Sequence, residues 1–270
     1  MNHQDSPLAA LADPTLLRTD ALIGAEWIAG SARFDVTDPA TGQRLAEVAN
    51  LGADHAQAAI DAAARAGAAW RRKPAKERCA VMLKWFRLLQ EHAEDLARIM
   101  SAEQGKPLAE ARGEVAFGAS FIEWFAEEAR RVYGETIATT DPDKRYLVVR
   151  QPIGVCAAIT PWNFPIAMIT RKVAPAIAAG CTVVVKPAEQ TPLCALAVAG
   201  LALQAGLPPG VLNVVTGDGA HSIEIGRRWC ESDVVQHLSF TGSTEVGRIL
   251  MRQCAPTIKK LSLELGGNAP

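Results

Sequence analysis

The second half of this chain alternates short, continuously apolar segments with longer segments that carry helix signals. Apolar runs of this length, separated by helices, are typical of parallel strands, because a parallel strand is covered on both faces. The pattern therefore predicts an α/β fold, an open parallel sheet of about five strands with helices on both faces. The predicted strands are 155–159, 181–185, 211–215, 237–240 and 261–264, and the predicted helices between them are 166–179, 193–205, 222–230 and 244–253.

The first half of the chain has a different pattern. Over residues 21–50, turn signals separate short alternating runs, which predicts small antiparallel strands. Long segments with helical periodicity follow, with Asp54 as the expected N-cap of the first and Gly134 closing the last. These predicted helices are 54–70, 75–102 and 107–132.

Composition and charge exclude several classes of protein. The 270 residues suffice for one large domain or two small ones, and 49% are hydrophobic, enough for a substantial core. A net charge of −1 without a long basic run argues against nucleic acid as a partner. The most apolar stretch, Val173 to Val185, is too short to span a bilayer, so we expect a soluble protein without a membrane partner.

The six cysteines are scattered and form no Cys-x-x-Cys pair. Their spacing argues against a zinc site and against a small disulfide scaffold. The N-terminus lacks the basic and apolar regions of a secretory signal. Reduced thiols in a cytoplasmic protein without a metal site are the simplest interpretation.

Polar motifs follow the ends of the predicted strands, the edge at which open α/β sheets bind ligands. After the first strand, Asn163 lies in a turn stiffened by Pro161 and Pro165. Its side-chain amide could donate to an oxyanion or cap a helix. After the second strand, Lys186 and Glu189 could hold the two hydroxyls of a ribose, or form an ion pair on the surface.

The fourth and fifth strands end in glycine turns. Gly242 permits a diphosphate to approach the start of the next helix, although the turn is neither a Gly-x-Gly-x-x-Gly nor a Walker motif. Glu264, which precedes Gly266 and Gly267, could activate a water molecule or face solvent. Each signal is weak alone, but their order at strand ends of one sheet indicates a single site.

These motifs closely resemble signature segments of the aldehyde dehydrogenase superfamily, in their usual order and approximate spacing. The segments are 160–165, 186–192, 240–247 and 263–267. The resemblance covers nearly the whole chain after about residue 20. Within the superfamily the chain is most similar to succinate-semialdehyde dehydrogenases, and glutarate-semialdehyde dehydrogenases share much of this similarity. The segments that carry the narrower resemblance are 124–129, 168–172 and 262–270.

The resemblance implies a domain organisation. It implies a Rossmann-like domain that binds NAD, a small β segment of the oligomerisation type and an N-terminal arm. The implied boundaries are 1–20 for the arm, 21–135 and 155–270 for the NAD-binding domain, and 136–154 for the oligomerisation hairpin. The catalytic domain of the family is absent from this sequence, and the full-length parent is expected to be a homo-oligomer.

The resemblance also implies roles for individual residues. Glu264 would be the general base that activates the deacylating water, Asn163 an oxyanion donor, and Arg171 the partner of the distal carboxylate of the substrate. Within the cofactor set, Glu189 can accept from a free 2′-hydroxyl and would repel a 2′-phosphate, so NAD is favoured over NADP, although Lys186 could still attract a phosphate. The implied cofactor-binding residues are Thr160, Pro161, Trp162, Lys186, Glu189, Gly217, Phe240, Gly242, Ser243 and Leu265.

In the family, a cysteine thiolate attacks the aldehyde to form a thiohemiacetal, hydride passes to the nicotinamide, and activated water hydrolyses the thioester. The nucleophile lies a few tens of residues after the glutamate, and this sequence ends six residues after Glu264, with no cysteine at that position. We therefore expect the N-terminal portion of a semialdehyde dehydrogenase, without turnover by itself. A non-catalytic NAD-binding or subunit-interaction module is the alternative.

Overall fold

The computed structural model of the chain describes residues 7–267. The first six residues of the predicted arm and residues 268–270 of the last family-like segment lie outside the described residues. The strands are β1 (Ala21–Ile23), β2 (Glu26–Ile28), β3 (Arg33–Thr37), β4 (Arg44–Ala49), β5 (Glu135–Ile137), β6 (Tyr146–Val148), β7 (Val155–Ile159), β8 (Thr182–Lys186), β9 (Leu212–Val214), β10 (Val235–Gly242) and β11 (Lys260–Leu265). The α-helices are α1 (Ala53–Trp70), α2 (Ala75–Glu91), α3 (Ala93–Gln104), α4 (Leu108–Glu128), α5 (Ala167–Ala179), α6 (Pro192–Gln204), α7 (Gly219–Glu231) and α8 (Thr244–Cys254).

The central sheet has seven strands in the order β11-β10-β7-β8-β9-β1-β2. The five strands from β11 to β9 are parallel to their neighbours, which confirms the predicted parallel sheet. The first strand of the chain, β1, pairs antiparallel with β9 and with β2, and so extends the sheet by two strands. The α/β fold class is therefore confirmed, with an antiparallel edge that the sequence pattern did not assign to this sheet.

Helices cover both faces of the parallel strands, as predicted. Alternate side chains of β8 point to opposite faces, so Val185 packs in a cluster with α2–α6 and Val184 in a second cluster with α1 and α7. Trp85 and Trp229 are fully buried, one in each cluster, and each indole N–H donates to a main-chain carbonyl. Truncation of such a side chain to alanine costs about 3–5 kcal/mol. Within residues 7–267, no helix is both long and apolar enough to cross a membrane.

Three local predictions are wrong. The helix predicted over 107–132 ends at Glu128 with Ala129 as its C-cap, and a 3-10 turn over Ala129–Arg131 follows, so Gly134 does not close the helix. The helix predicted over 75–102 is interrupted at His92, whose φ of −99° and ψ of 18° separate α2 from α3. Apolar residues keep helical spacing across the break, so periodicity alone could not show it. The N-cap of α1 is Gly52 rather than Asp54, which lies in the first turn of the helix, where a carboxylate still interacts favourably with the helix dipole.

The segment before β1 packs against the core. Leu8 and Leu16 are buried, and Asp95 at the start of α3 accepts hydrogen bonds from the main-chain N–H groups of Ala12 (2.9 Å) and Asp13 (2.8 Å). The paired acceptor oxygens of one carboxylate therefore hold the segment against α3.

The hairpin formed by β5 and β6, with the residues that flank it, exposes apolar side chains. Tyr133, Ile137, Leu147 and Val149 are 69%, 51%, 71% and 63% exposed. The two strands pair antiparallel, from Glu135 with Val148 to Ile137 with Tyr146. An exposed apolar hairpin of this kind is typical of a surface that another chain covers.

Candidate functional site

The residues that the sequence singled out lie together at one edge of the central sheet. The parallel registers pair Ile159 with both Lys186 and Phe240, and Thr241 with Glu264. The carboxyl ends of β8, β7, β10 and β11 therefore lie side by side. The predicted residues at or just beyond this edge are Thr160, Pro161, Trp162, Asn163, Lys186, Glu189, Gly217, Phe240, Gly242, Ser243, Glu264 and Leu265.

The turn that carries Asn163 is held by Lys106, in the loop between α3 and α4, and by Glu114 of α4. The ammonium of Lys106 donates to the main-chain carbonyl of Asn163 (3.1 Å) and lies 4.0 Å from the ring centroid of Phe164. Lys106 also forms a buried ion pair with Glu114, whose Oε1 accepts from the main-chain N–H of Ile166 (3.0 Å). Both ends of the turn are thereby attached to one buried ion pair.

The side-chain amide of Asn163 is free to meet a ligand. Asn163 is exposed, and its side chain has no hydrogen-bond partner in the part of the chain that the structure describes. The N-cap of α5 is Ile166, three residues later, and the cap has no side-chain hydrogen bond from its own residue. Capping is therefore supplied by Glu114, and the interpretation of Asn163 as a capping residue is wrong.

The Lys186–Glu189 pair is not a solvated surface pair. Lys186 Nζ lies 3.2 Å from Glu189 Oε2, and the side chains are 4% and 36% exposed. Burial lowers the pKa of Lys186, while the Glu189 carboxylate opposes this shift. The pair therefore presents the partly exposed carboxylate of Glu189, which is held in place by the buried ammonium of Lys186.

Thr160 has a buried hydroxyl at the same edge. Its Oγ1 has no hydrogen-bond partner among residues 7–267, and the residue is 4% exposed. A buried hydroxyl without a partner costs about 1–3 kcal/mol. A ligand with a hydroxyl or phosphate group at this edge would satisfy it, so the residues present fit a nucleotide.

The turn between β10 and α8 leaves room for an anion at the start of the helix. Ser243 is the N-cap, and its hydroxyl accepts from the N–H of Val246 (3.3 Å). A Cβ at Gly242 would lie 2.4 Å from Cζ of Phe240, so the buried ring occupies the space that any larger residue would need. The remaining N–H groups of the first turn of α8 are suited to a phosphate oxygen.

Glu264 and Arg171 form an ion pair on the sheet face beside this edge. Arg171 Nη2 lies 2.5 Å from Glu264 Oε1, and the hydroxyl of Thr241 donates to Glu264 Oε2 (2.8 Å). Lys172 Nζ lies 3.9 Å from the same carboxylate and donates to Ser239 Oγ. Burial lowers the pKa of Lys172, and the charge of Glu264 opposes the shift. A cavity of 410 Å³ between α5 and the sheet is lined by Arg171, Lys172, Ser239 and Glu264, among others.

Three supporting residues were missed from the sequence. Glu103 is fully buried and accepts from the N–H groups of Leu193 and Cys194 at the start of α6 (2.8 Å each), and burial raises its pKa to about 7. Lys106 and Glu114 hold the start of α5. The available signal was the position of both glutamates on apolar helical stripes, where a charged residue requires a partner.

The profile of the aldehyde dehydrogenase family matches residues 27–270, which confirms the resemblance. The chain is 59% identical over 262 residues to succinate-semialdehyde dehydrogenase [NADP(+)] GabD of Escherichia coli K12. It is 57% identical over 262 residues to glutarate-semialdehyde dehydrogenase of Pseudomonas putida. Each match covers 96% of this chain and 54% of the relative, so the chain spans about half the length of these curated relatives.

Solved structures give the same result. The crystal structure of succinate-semialdehyde dehydrogenase from Burkholderia pseudomallei is 59% identical, with a TM-score of 0.94 over 97% of this chain and 54% of that chain. The indole-3-acetaldehyde dehydrogenase AldA of P. syringae, in complex with NAD+ and IAA, is 37% identical, with a TM-score of 0.90 over 94% of this chain and 52% of that chain.

Proposed function

The chain belongs to the aldehyde dehydrogenase family, and we propose that the protein oxidises succinate semialdehyde to succinate with a nicotinamide dinucleotide. The observation that supports this proposal most is that an ion pair suited to a ribose and a glycine turn suited to a phosphate lie at one edge of the sheet. Lys186 and Glu189 form the pair, and Gly242 and Ser243 form the turn. Two relatives are named as semialdehyde dehydrogenases, which supports a semialdehyde as the substrate.

The cofactor would be held by the residues at this edge. Lys186 and Glu189 would bind the ribose, the turn from Gly242 to Ser243 would bind the diphosphate, and Thr160 would supply its buried hydroxyl. The remaining proposed contacts come from Pro161, Trp162, Gly217, Phe240 and Leu265. When bound, the nicotinamide supplies a hydride acceptor. The carboxylate of Glu189 favours NAD over NADP, because a 2′-phosphate would be repelled.

Substrate recognition and proton transfer would use the ion pair beside that edge. Arg171 can bind a distal carboxylate through charge-assisted hydrogen bonds. Asn163 can donate its free amide to an oxygen on which negative charge develops, and Glu264 can take a proton from water. Arg171 supports an anionic substrate without fixing its length, so glutarate semialdehyde, with one more methylene, is the alternative substrate.

The nucleophile of the family mechanism is not among the residues at this site. All six cysteines are buried, and none follows Glu264 in the sequence. We therefore propose that the 270-residue chain binds the cofactor without turnover, and that the whole protein carries the activity. The second candidate function, an NAD-binding or subunit-interaction module, is favoured by the exposed apolar hairpin of β5 and β6, which suits a homo-oligomer.

The compartment is part of the same proposal. Six free thiols suit a reducing compartment such as the cytoplasm. A related succinate-semialdehyde dehydrogenase of Homo sapiens, 54% identical over 255 residues, has the word mitochondrial in its name. The mitochondrial matrix, which is also reducing, is therefore the alternative compartment.

Calorimetric titration of the purified chain with NAD and with NADP tests the cofactor proposal. We expect saturable binding at one site per chain, and tighter binding of NAD. A folded sample that binds neither dinucleotide would contradict the site. Measurement of NADH formation from succinate semialdehyde tests the second part, because turnover by this chain would contradict the assignment of the nucleophile to another part of the protein.

A further inference from the structure

The turn between β7 and α5 is attached to its surroundings on both sides of Asn163. The N–H of Thr160 donates to the main-chain carbonyl of Lys186 (3.1 Å). Further along the turn, the ammonium of Lys106 donates to the main-chain carbonyl of Asn163 (3.1 Å) and lies 4.0 Å from the ring centroid of Phe164. The main chain is therefore fixed around Asn163, which leaves its exposed side chain only a choice among rotamers.

Lys106 is itself held in the loop between α3 and α4. Gly105, with a φ of 81°, closes α3 in the left-handed conformation, and the hydroxyl of Ser101 donates to the main-chain carbonyl of Lys106 (2.7 Å). The ammonium of Lys106 forms an ion pair with Glu114, and the two side chains are 9% and 1% exposed. The cation that binds the Asn163 turn therefore has a fixed position of its own.

The cap on α5 does not by itself require a lysine. Glu114 accepts from two N–H groups at the start of α5 (3.0 and 3.2 Å). Glu103 caps α6 in the same way, by accepting from two N–H groups at the start of that helix (2.8 Å each). Within residues 7–267, however, Glu103 forms no ion pair with a cation. What distinguishes Lys106 is therefore its contact with Asn163 and Phe164.

We propose that Lys106 is a positioning residue for aldehyde oxidation and that it acts through Asn163. With Glu114 as its anchor, the ammonium holds the main chain at Asn163 and so keeps the free amide in place for the oxygen on which negative charge develops. A displacement of about 1 Å can cost about 100-fold in rate. The inference rests on the proposed function, in which Asn163 donates to that oxygen, and it gives Lys106 no contact with substrate or cofactor.

A double-mutant cycle in the whole protein tests this role. Asn163→Ala should lower kcat for succinate semialdehyde by about 100-fold, because one oxyanion donor is lost. Lys106→Met alone should lower kcat by about tenfold, while KM for the aldehyde and the Kd for NAD change by no more than about threefold. In the Asn163→Ala background, Lys106→Met should lower kcat by no more than about twofold, because no amide is left to position.

The cycle separates positioning from a merely structural role. A structural loss would lower the active fraction of the protein by the same factor in both backgrounds, so equal effects of Lys106→Met would overturn the positioning role alone. If Asn163→Ala leaves kcat unchanged, the oxyanion role in the proposed function is wrong and the role of Lys106 falls with it. Arg112→Met is the matched control, because it breaks an exposed ion pair with Glu94 between the same two helices, α3 and α4, and should leave kcat within about twofold.

Folding of the variants does not leave the question open. Lys106→Met leaves Glu114 as a capping carboxylate without a cation, which is the arrangement that Glu103 already has. Lys106→Met combined with Glu114→Gln removes both charges and keeps an acceptor oxygen for the start of α5, and the same loss of about tenfold in kcat is expected. If neither form folds, the ion pair serves stability, and the proposal is overturned.

Discussion

Arg171 and Glu264 form an ion pair between α5 and β11, with Nη2 2.5 Å from Oε1. The side chains are 34% and 42% exposed, so both can be reached by a ligand. In the proposed function, Arg171 binds the substrate carboxylate and Glu264 takes a proton from water. Neither side chain can do so while the two are paired with each other. In the proposed function, a substrate carboxylate that binds Arg171 would displace Glu264 and so release the proposed general base.

The pair leads to a prediction about substrate selectivity. In the whole protein, Arg171→Gln should lower kcat/KM for succinate semialdehyde by about 30-fold. This is equivalent to about 2 kcal/mol for a lost charge-assisted interaction. Butanal has the same carbon number and no distal carboxylate, so its kcat/KM should change by no more than about twofold. Steady-state kinetics with both aldehydes measures the difference.

The control for this prediction is Arg227→Gln, which removes an exposed arginine of α7. It should leave both substrates unaffected. An equal loss for succinate semialdehyde and butanal in Arg171→Gln would mean that Arg171 only holds Glu264, and the assignment to substrate would then be wrong.

The sheet and its carboxyl edge could be predicted because the signals are local. A continuous apolar run such as the one over 182–185, followed by Lys186 and Pro187, identifies a buried strand and its end without knowledge of the rest of the chain. The pairing of Arg171 with Glu264 spans 93 residues. It depends on which rotamers the packed helix allows, and local sequence carries no signal for that.

The clamp on the Asn163 turn illustrates the same limit. Lys106 lies in the loop between α3 and α4, eight residues before Glu114 in α4. From the sequence, Lys106 is an ordinary loop charge and Glu114 an ordinary helical charge. Only the fold shows that Glu114 caps α5 and that Lys106 binds the carbonyl of Asn163. Buried charges that cap a distant helix therefore have to be found in the structure.

Cofactor preference should depend on Glu189. Glu189→Ser removes the carboxylate that, in the proposed function, would accept from a 2′-hydroxyl and repel a 2′-phosphate. We expect NADP affinity to rise about tenfold and NAD affinity to fall by about three- to tenfold. Calorimetric titration of the purified chain with each dinucleotide gives both numbers. Glu231→Ser, at the exposed end of α7, is the matched control, and an unchanged preference in Glu189→Ser would exclude contact between Glu189 and the ribose.

Gly242 should tolerate no side chain. A Cβ there would lie 2.4 Å from Cζ of Phe240 and 2.9 Å from Cε2, and the ring is buried. Gly242→Ala should therefore lower the free energy of unfolding by about 1–3 kcal/mol and weaken dinucleotide binding. Gly113→Ala, in α4 with open space around it, should raise the free energy of unfolding by about 0.5–1 kcal/mol. Urea titrations compare the two, and equal effects would contradict the steric account.

Glu103 should make stability depend on pH. Burial raises its pKa in the folded chain to about 7, against 4.5 for an exposed glutamate. Between these values the folded state binds more protons than the unfolded state, so the contribution of Glu103 is fully present below pH 4.5 and is lost as the pH rises through 7. The loss is on the order of 3 kcal/mol.

Glu103→Gln isolates this contribution, because the amide keeps one acceptor oxygen for the start of α6 and does not titrate. The variant should be less stable than the wild type at pH 5, and the deficit should shrink or reverse by pH 8, because only the wild type has lost stability. Urea unfolding at a series of pH values measures the difference. Glu110→Gln, an exposed position on α4, should show a constant difference, and a deficit in Glu103→Gln that grows with pH would mean that Glu103 is ionised in the folded chain throughout.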